Sequence, residues 1–247
     1  MEAAASRPAG RHPVSGRLTE RFFRAARVAE ISPVAGRMRR ITLAVPELDW
    51  APGQHVRVCV GTAAARATWL SGPRRTYSVW DYDRAAGRLQ LCVLDHGDGP
   101  GARWARALRA GDEVLFRPPE GNLTLRPAAH YLFAGEETAA VAFGPMLAAL
   151  GQVPYRAVLE VDAPASRLPL PGQVTWRYRD GAPAASSAGL VAAVAELDLP
   201  GEPGLAYLAG EARTVRAVSQ HLVRERGWPR RAIRAKPFWS PGQTGPD

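Results

Sequence analysis

Lysine is almost missing from this 247-residue chain: Lys236 is the only one, and the net charge of +9 at pH 7 is carried by arginines spread along the whole length. No basic run is interleaved with aromatics, so no nucleic-acid module is read here and nucleic acid is not an expected partner. The charge is read instead as attraction for an anionic small molecule or for cofactor phosphates. Cysteine is scarce too. Cys59 and Cys92 are the only two, each in an apolar, alternating stretch, which fits core thiols in a reducing compartment and offers no disulfide framework. The five histidines, His12, His55, His96, His130 and His221, show neither HxxxH nor Cys/His spacing, so no metal site is expected. No apolar run is long enough to span a membrane, and no secretory core follows the first arginines, so no membrane partner is expected and the cytoplasm is the expected location.

What is present divides the chain in two. Residues 1–18 are rich in Ala, Arg, Pro and Gly without periodicity and are expected to form a disordered tail. Residues 19–126 read as a β domain, with strands over 38–45, 56–60, 75–82 and 88–94 and turn chemistry at Pro52-Gly53, Ala110-Gly111-Asp112 and Glu120-Gly121-Asn122. A six-stranded antiparallel barrel fits this spacing. Residues 127–247 alternate strands and helices: strands near 131–134, 155–161, 174–178 and 205–209, helices near 138–150, 187–197 and 212–226, and a last strand over 233–239. This is the pattern of a parallel-sheet, nucleotide-binding α/β domain. Val215, Val218 and Leu222 share one face of its last helix and predict docking on the sheet. Residues 164–172 read as a surface loop. A barrel followed by such a domain can hold two cofactors face to face.

The strand Arg75-Thr76-Tyr77-Ser78 is suited to a flavin. Alternation separates Arg75 and Tyr77 from Thr76 and Ser78; a guanidinium can take a pyrophosphate, a phenol ring an isoalloxazine edge, and a hydroxyl the flavin's polar atoms. The segment from His96 through Gly99-Pro100-Gly101-Ala102 to Trp104 follows the 88–94 strand and opens a short helix, whose start can bring backbone amides to a diphosphate. Two further strand-loop-helix junctions, Gly135-Glu136-Glu137-Thr138-Ala139 and Gly210-Glu211-Ala212, place Gly-acidic pairs at the carboxyl ends of sheet strands. Ligands bind at such ends, and acidic groups there suit ribose hydroxyls or a carboxamide better than a phosphate. Arg177 and Arg179 are candidates for the extra phosphate of NADPH.

In order and spacing, these segments together with Val174-Thr175-Trp176 and the closing Phe238-Trp239 resemble the siderophore-interacting proteins, FAD-dependent ferric-siderophore reductases of the ferredoxin-reductase-like superfamily. The resemblance runs from about residue 20 to 242. It implies an FAD-binding barrel followed by an NAD(P)H-binding α/β domain. It implies FAD contacts from Arg75, Thr76, Tyr77, Ser78, His96, Gly99, Pro100, Gly101, Ala102 and Trp104, with Gly135, Thr138, Gly210 and Glu211 beside the dinucleotide and Phe238 and Trp239 completing the cofactor set. Arg74, Trp80 and Lys236 are the substrate candidates. Departures from the family pattern are Trp80 in place of a basic residue, Gly101-Ala102 in place of Ala-Ser, Val141-Ala142-Phe143 in place of Pro-Ala-Ile, and Phe238-Trp239-Ser240 in place of Tyr-Trp-Arg. The implied activity is an oxidoreductase that takes hydride from NADPH or NADH onto FAD and reduces a ferric siderophore, releasing iron(II). The alternative is a relative recruited to biosynthesis, with Trp80 and Phe238 lining an apolar pocket for an organic substrate. Either way the partner is a small molecule, and a monomer is compatible with both.

Overall fold

The computed structural model describes residues 23–61 and 73–243; the expected 1–18 tail lies outside the described residues. Six strands close a barrel: β1 (Arg24–Ala35), β2 (Met38–Ala44), β3 (His55–Cys59), β4 (Arg74–Asp83), β5 (Arg88–Leu94) and β6 (Glu113–Phe116), in the order β1-β2-β5-β4-β3-β6. Their period-two alternation sends Ile41, Leu43, Val56, Val58, Val79, Leu89, Leu91 and Phe116 inward, where none keeps measurable exposure. Closure leaves no free sheet edge. Between β5 and β6 lies helix α1 (Pro100–Ala107).

The second half is a five-stranded parallel sheet. β7 (Tyr131–Glu136), β8 (Tyr155–Val161), β9 (Thr175–Tyr178), β10 (Leu205–Glu211) and β11 (Ile233–Trp239) lie in the order β11-β10-β7-β8-β9, with α2 (Glu137–Ala148), α3 (Ala188–Ala195) and α4 (Ala212–Arg224) as crossovers. Strand order reverses between β7 and β10, so their carboxyl ends open a crevice. On one face, α3 and α4 bury Leu190, Val194, Val215, Val218 and Leu222, the last three being the predicted stripe. The stretch over 164–172 is an exposed loop pinned by Leu168, which is buried, and Leu170.

Helix α2 occupies the other face, wedged between sheet and barrel. It is apolar nearly all round, as a helix with neighbours on every side must be. Phe143 packs edge-on against Phe133 of β7 at 5.2 Å, and the same cluster takes in Met38 and Cys92 of the barrel. Trp80 of β4 reaches it as well. Between Val79 and Asp81 the β4–β5 register slips by one residue, and this bulge turns Trp80 outward onto α2. Gly144 makes room, since a Cβ there would meet the indole at 2.8 Å. The connection between the halves is clamped by Tyr207, whose hydroxyl donates to the Thr124 carbonyl and accepts from the Arg126 amide, each at 2.9 Å.

Truncating Phe143 to Ala should cost about 3–5 kcal/mol by cavity formation. Denaturant unfolding followed by circular dichroism should show a lower midpoint with unchanged slope.

Candidate functional site

A cleft of about 320 Å³ opens where the barrel meets the carboxyl ends of the sheet strands. From the barrel side it is lined by all four residues of the Arg75-Thr76-Tyr77-Ser78 segment, by His96, and by Gly99, Pro100, Gly101 and Ala102 at the start of α1. From the sheet side come Thr138, Lys236, Phe238 and Trp239. The structure thus gathers thirteen of the residues anticipated from sequence into one space, from both halves of the chain.

Local chemistry explains the barrel wall. Gly99 is the N-cap of α1 and Pro100 its first residue, and no side chain caps the turn, so the positive end of the helix faces the cleft beside Arg75. The preceding loop is tied down by Arg106, which pairs with Asp95 at 2.6 Å and Asp98 at 2.8 Å. Tyr77 stacks on Trp104, centroids 5.6 Å apart and planes 20° from parallel. Trp104 therefore supports the tyrosine from behind and does not itself line the cleft. The absence of a side chain at Gly101 permits this arrangement: a Cβ there would lie 2.6 Å from the Tyr77 hydroxyl oxygen. Burial holds the Tyr77 phenol well above its ordinary value, so the group stays a neutral donor.

On the sheet side Glu136, at the end of β7, organises the wall although sequence reasoning had put the weight on its neighbours. Its carboxylate accepts from the Thr138 amide at 2.9 Å, from the Thr138 hydroxyl, and from the Trp239 indole N–H at 3.0 Å. Burial, and then the adjacent Glu137 carboxylate, push its pKa up to about 7 against the hydrogen bonds from Thr138 and Trp239. Glu137 is bound through both oxygens to Arg179, and both side chains are buried. Arg179 is therefore committed to structure, whereas Arg177 remains exposed.

Five of the other anticipated residues lie outside the cleft lining. A Cβ on Gly135 would lie 2.4 Å from the Ala209 carbonyl oxygen, so the residue is a packing contact between β7 and β10. Gly210, at φ +115°, gives Glu136 its space. Glu211 caps α4 and the neighbouring loop, accepting from the amides of Ser186, Arg213 and Thr214 and from the Thr214 hydroxyl. Burial alone would raise its carboxyl, but these donors overcome that and hold it below the ordinary value. Arg74 lies at the start of β4 outside the lining, where its carbonyl accepts from the Arg75 guanidinium at 2.6 Å. Trp80, expected at the substrate pocket, is likewise outside it because the bulge commits the ring to α2.

Sequence reasoning missed His55. It lines the cleft at the first position of β3, opposite Ser78 in register, and its Nδ1 lies 3.1 Å from Lys236 Nζ. An ammonium only donates, so Nδ1 accepts and the ring proton sits on Nε2, 3.8 Å from Glu120. Burial, then the Lys236 charge, lower the imidazole to about 4 and keep it neutral at physiological pH. Burial lowers Lys236 as well, with Glu120 opposing. The available signal was the Pro52-Gly53-Gln54 turn that delivers His55 to the head of an alternating strand.

A cation beside an uncapped helix start, an aromatic ring held in place and a hydroxyl at the strand end fit a flavin dinucleotide. Fold and site together define a ferredoxin-reductase-like flavoprotein, with an FAD-binding barrel joined to a nucleotide-type α/β domain. Residues 26–123 match the siderophore-interacting FAD-binding domain and residues 128–242 the siderophore-interacting protein model, so the chain belongs to the siderophore-interacting protein family. The ferric vibriobactin reductase ViuB of Vibrio cholerae is 29% identical over 179 residues, which span 69% of this chain and 65% of that protein. The siderophore-interacting protein SipS of Aeromonas hydrophila superposes with a TM-score of 0.78 at 28% identity, covering 91% of this chain and 94% of that one. Phthalate dioxygenase reductase shares the fold at a TM-score of 0.68 and 18% identity, over 90% of this chain and 70% of that one.

Replacing Gly101 by Val should displace Tyr77 from the helix and weaken FAD binding at least tenfold, about 1.4 kcal/mol, as read by equilibrium dialysis, with far-UV circular dichroism unchanged. Trp239 fluorescence, isolated as the difference from a Trp239→Phe variant, should titrate with a midpoint near pH 7 set by Glu136; Glu136→Gln should abolish that transition.

Proposed function

We propose that this chain is a reductase carrying electrons from a reduced nicotinamide dinucleotide, through FAD, to iron(III) held in a siderophore. The observation that carries this reading is the single cleft walled on one side by the flavin-type strand and helix start and on the other by Thr138, Phe238 and Trp239 at the crevice of the α/β sheet. The ViuB relative supports the ferric substrate. Bound FAD would supply the conversion between a two-electron donor and a one-electron acceptor.

The residues divide the remaining work. Arg75 and the amides at the start of α1 hold the flavin's phosphates, and Ser78 offers its hydroxyl to the ring's polar edge. Tyr77, kept in place by Trp104, and Phe238 present aromatic surface to the ring system. Thr138 and the Glu136-supported Trp239 shape the dinucleotide side and keep water from it. Hard oxygen donors hold iron(III) far better than iron(II), so a single electron loosens the chelate and no side-chain acid or nucleophile is required. The organic-substrate alternative keeps Phe238 at the cleft but loses Trp80 to the contact with α2.

Purified protein should be yellow with a flavin spectrum, bleach under anaerobic NADH or NADPH, and regain colour on adding a ferric siderophore as a chelator traps iron(II). A bleached protein that no ferric chelate reoxidises would overturn the proposal.

A further inference from the structure

Charge within the cleft bears on which ferric chelate it can accept. Among the described residues its lining carries two arginine or lysine cations, Arg75 and Lys236. Arg75 lies against the start of α1, its Cγ 3.3 Å from where a Cβ on Gly101 would be, and on the proposed reading would be taken up there by the flavin's phosphates. Lys236 is left to face an acceptor. One of its donors is taken by His55, which is neutral, and Glu120 stands on the far side of that ring. Arg57 lies 2.6 Å from Glu120 and offsets that carboxylate without reaching the cleft. Behind Trp239 and Thr138 sits the Glu136 carboxyl, which becomes a second nearby anion as it ionises. Among the described residues the rest of the lining carries no arginine, lysine or carboxylate: it mixes the apolar Met38, Leu94, Val141 and Phe238 with the neutral polar Ser240 and Gln243.

We infer that this cleft selects ferric chelates of little or no net charge, of the tris-hydroxamate kind, over trianionic tris-catecholates, because among the described residues Lys236 is the one lysine or arginine of the lining left to meet them, in walls that are otherwise largely apolar. This rests on the ferric reading above and names its substrate class. Three monoanionic hydroxamates around iron(III) give a neutral complex whose apolar surface suits these walls; three dianionic catecholates give a trianion that the walls would strip of water with one cation in return. The chain's +9 charge does not replace the missing contacts, since charges beyond about 8 Å are largely screened at physiological salt.

Binding to the FAD-loaded protein can be measured by equilibrium ultrafiltration at 0.15 M NaCl, with ferrichrome as the neutral trihydroxamate and ferric enterobactin as the tricatecholate trianion. Ferrichrome should bind at least tenfold more tightly. Ser240→Arg, which adds a cation at a cleft-lining position, should tighten the trianion at least fivefold and shift ferrichrome less than twofold. Equal or tighter binding of the trianion by the unaltered protein, with both chelates reoxidising the reduced flavin, would overturn the charge selection alone. Failure of both chelates to bind and to reoxidise the flavin would overturn the ferric reading and this inference with it.

Discussion

The structure depends on helix α2 being buried between the parallel sheet and the barrel. Its sequence, Glu137 to Ala148, is so apolar that neither water nor a single packing partner could satisfy it. Phe133, Met38, Cys92 and Trp80 close around it from both halves of the chain, and Gly144 removes the one side chain that would keep Trp80 out. Because Trp80 arrives on β4, the strand that also carries Arg75, Tyr77 and Ser78, the contact that joins the two halves sets the flavin-type strand at its distance from the sheet.

Two kinds of polar group surround the resulting cleft. Glu211, and the Glu137–Arg179 pair, are saturated with hydrogen bonds and serve the framework, capping a helix and closing a strand end. Glu136 ties β7 to Trp239 of β11 and the His55–Lys236 pair ties β3 to β11, strands that do not pair with one another. Burial moves Glu136 toward its neutral form at neutral pH and keeps His55 uncharged, so the site presents less charge than its residue types suggest. A basic protein thus encloses a cleft whose own charge is modest.

Much was legible in the chain itself. The alternation in β2, β3, β4 and β5, the glycines and proline before α1, and the helix-strand rhythm after residue 130 are local signals, and the structure has these elements within a few residues of the anticipated bounds. β1 and β6 were harder to read individually. The first breaks its alternation at two register shifts, between Val28 and Glu30 and between Pro33 and Ala35, and the second has only four residues. The role of Glu136 at Trp239 and that of His55 at Lys236 lie across 103 and 181 residues of sequence, beyond any local pattern. Trp80 is the instructive case: a period-two reading of β4 does not foresee the bulge that turns it from the cleft to α2.

By itself the sequence determined the two-part architecture, the flavin-type strand and the helix start, because each follows from periodicity, turn chemistry or backbone freedom within a short window. Only the tertiary structure decided which side chains share the cleft, which acidic groups are spent on caps, and how much charge an acceptor meets. Those outcomes depend on burial and on partners brought from distant parts of the chain, and desolvation changes what a residue can do without changing its name.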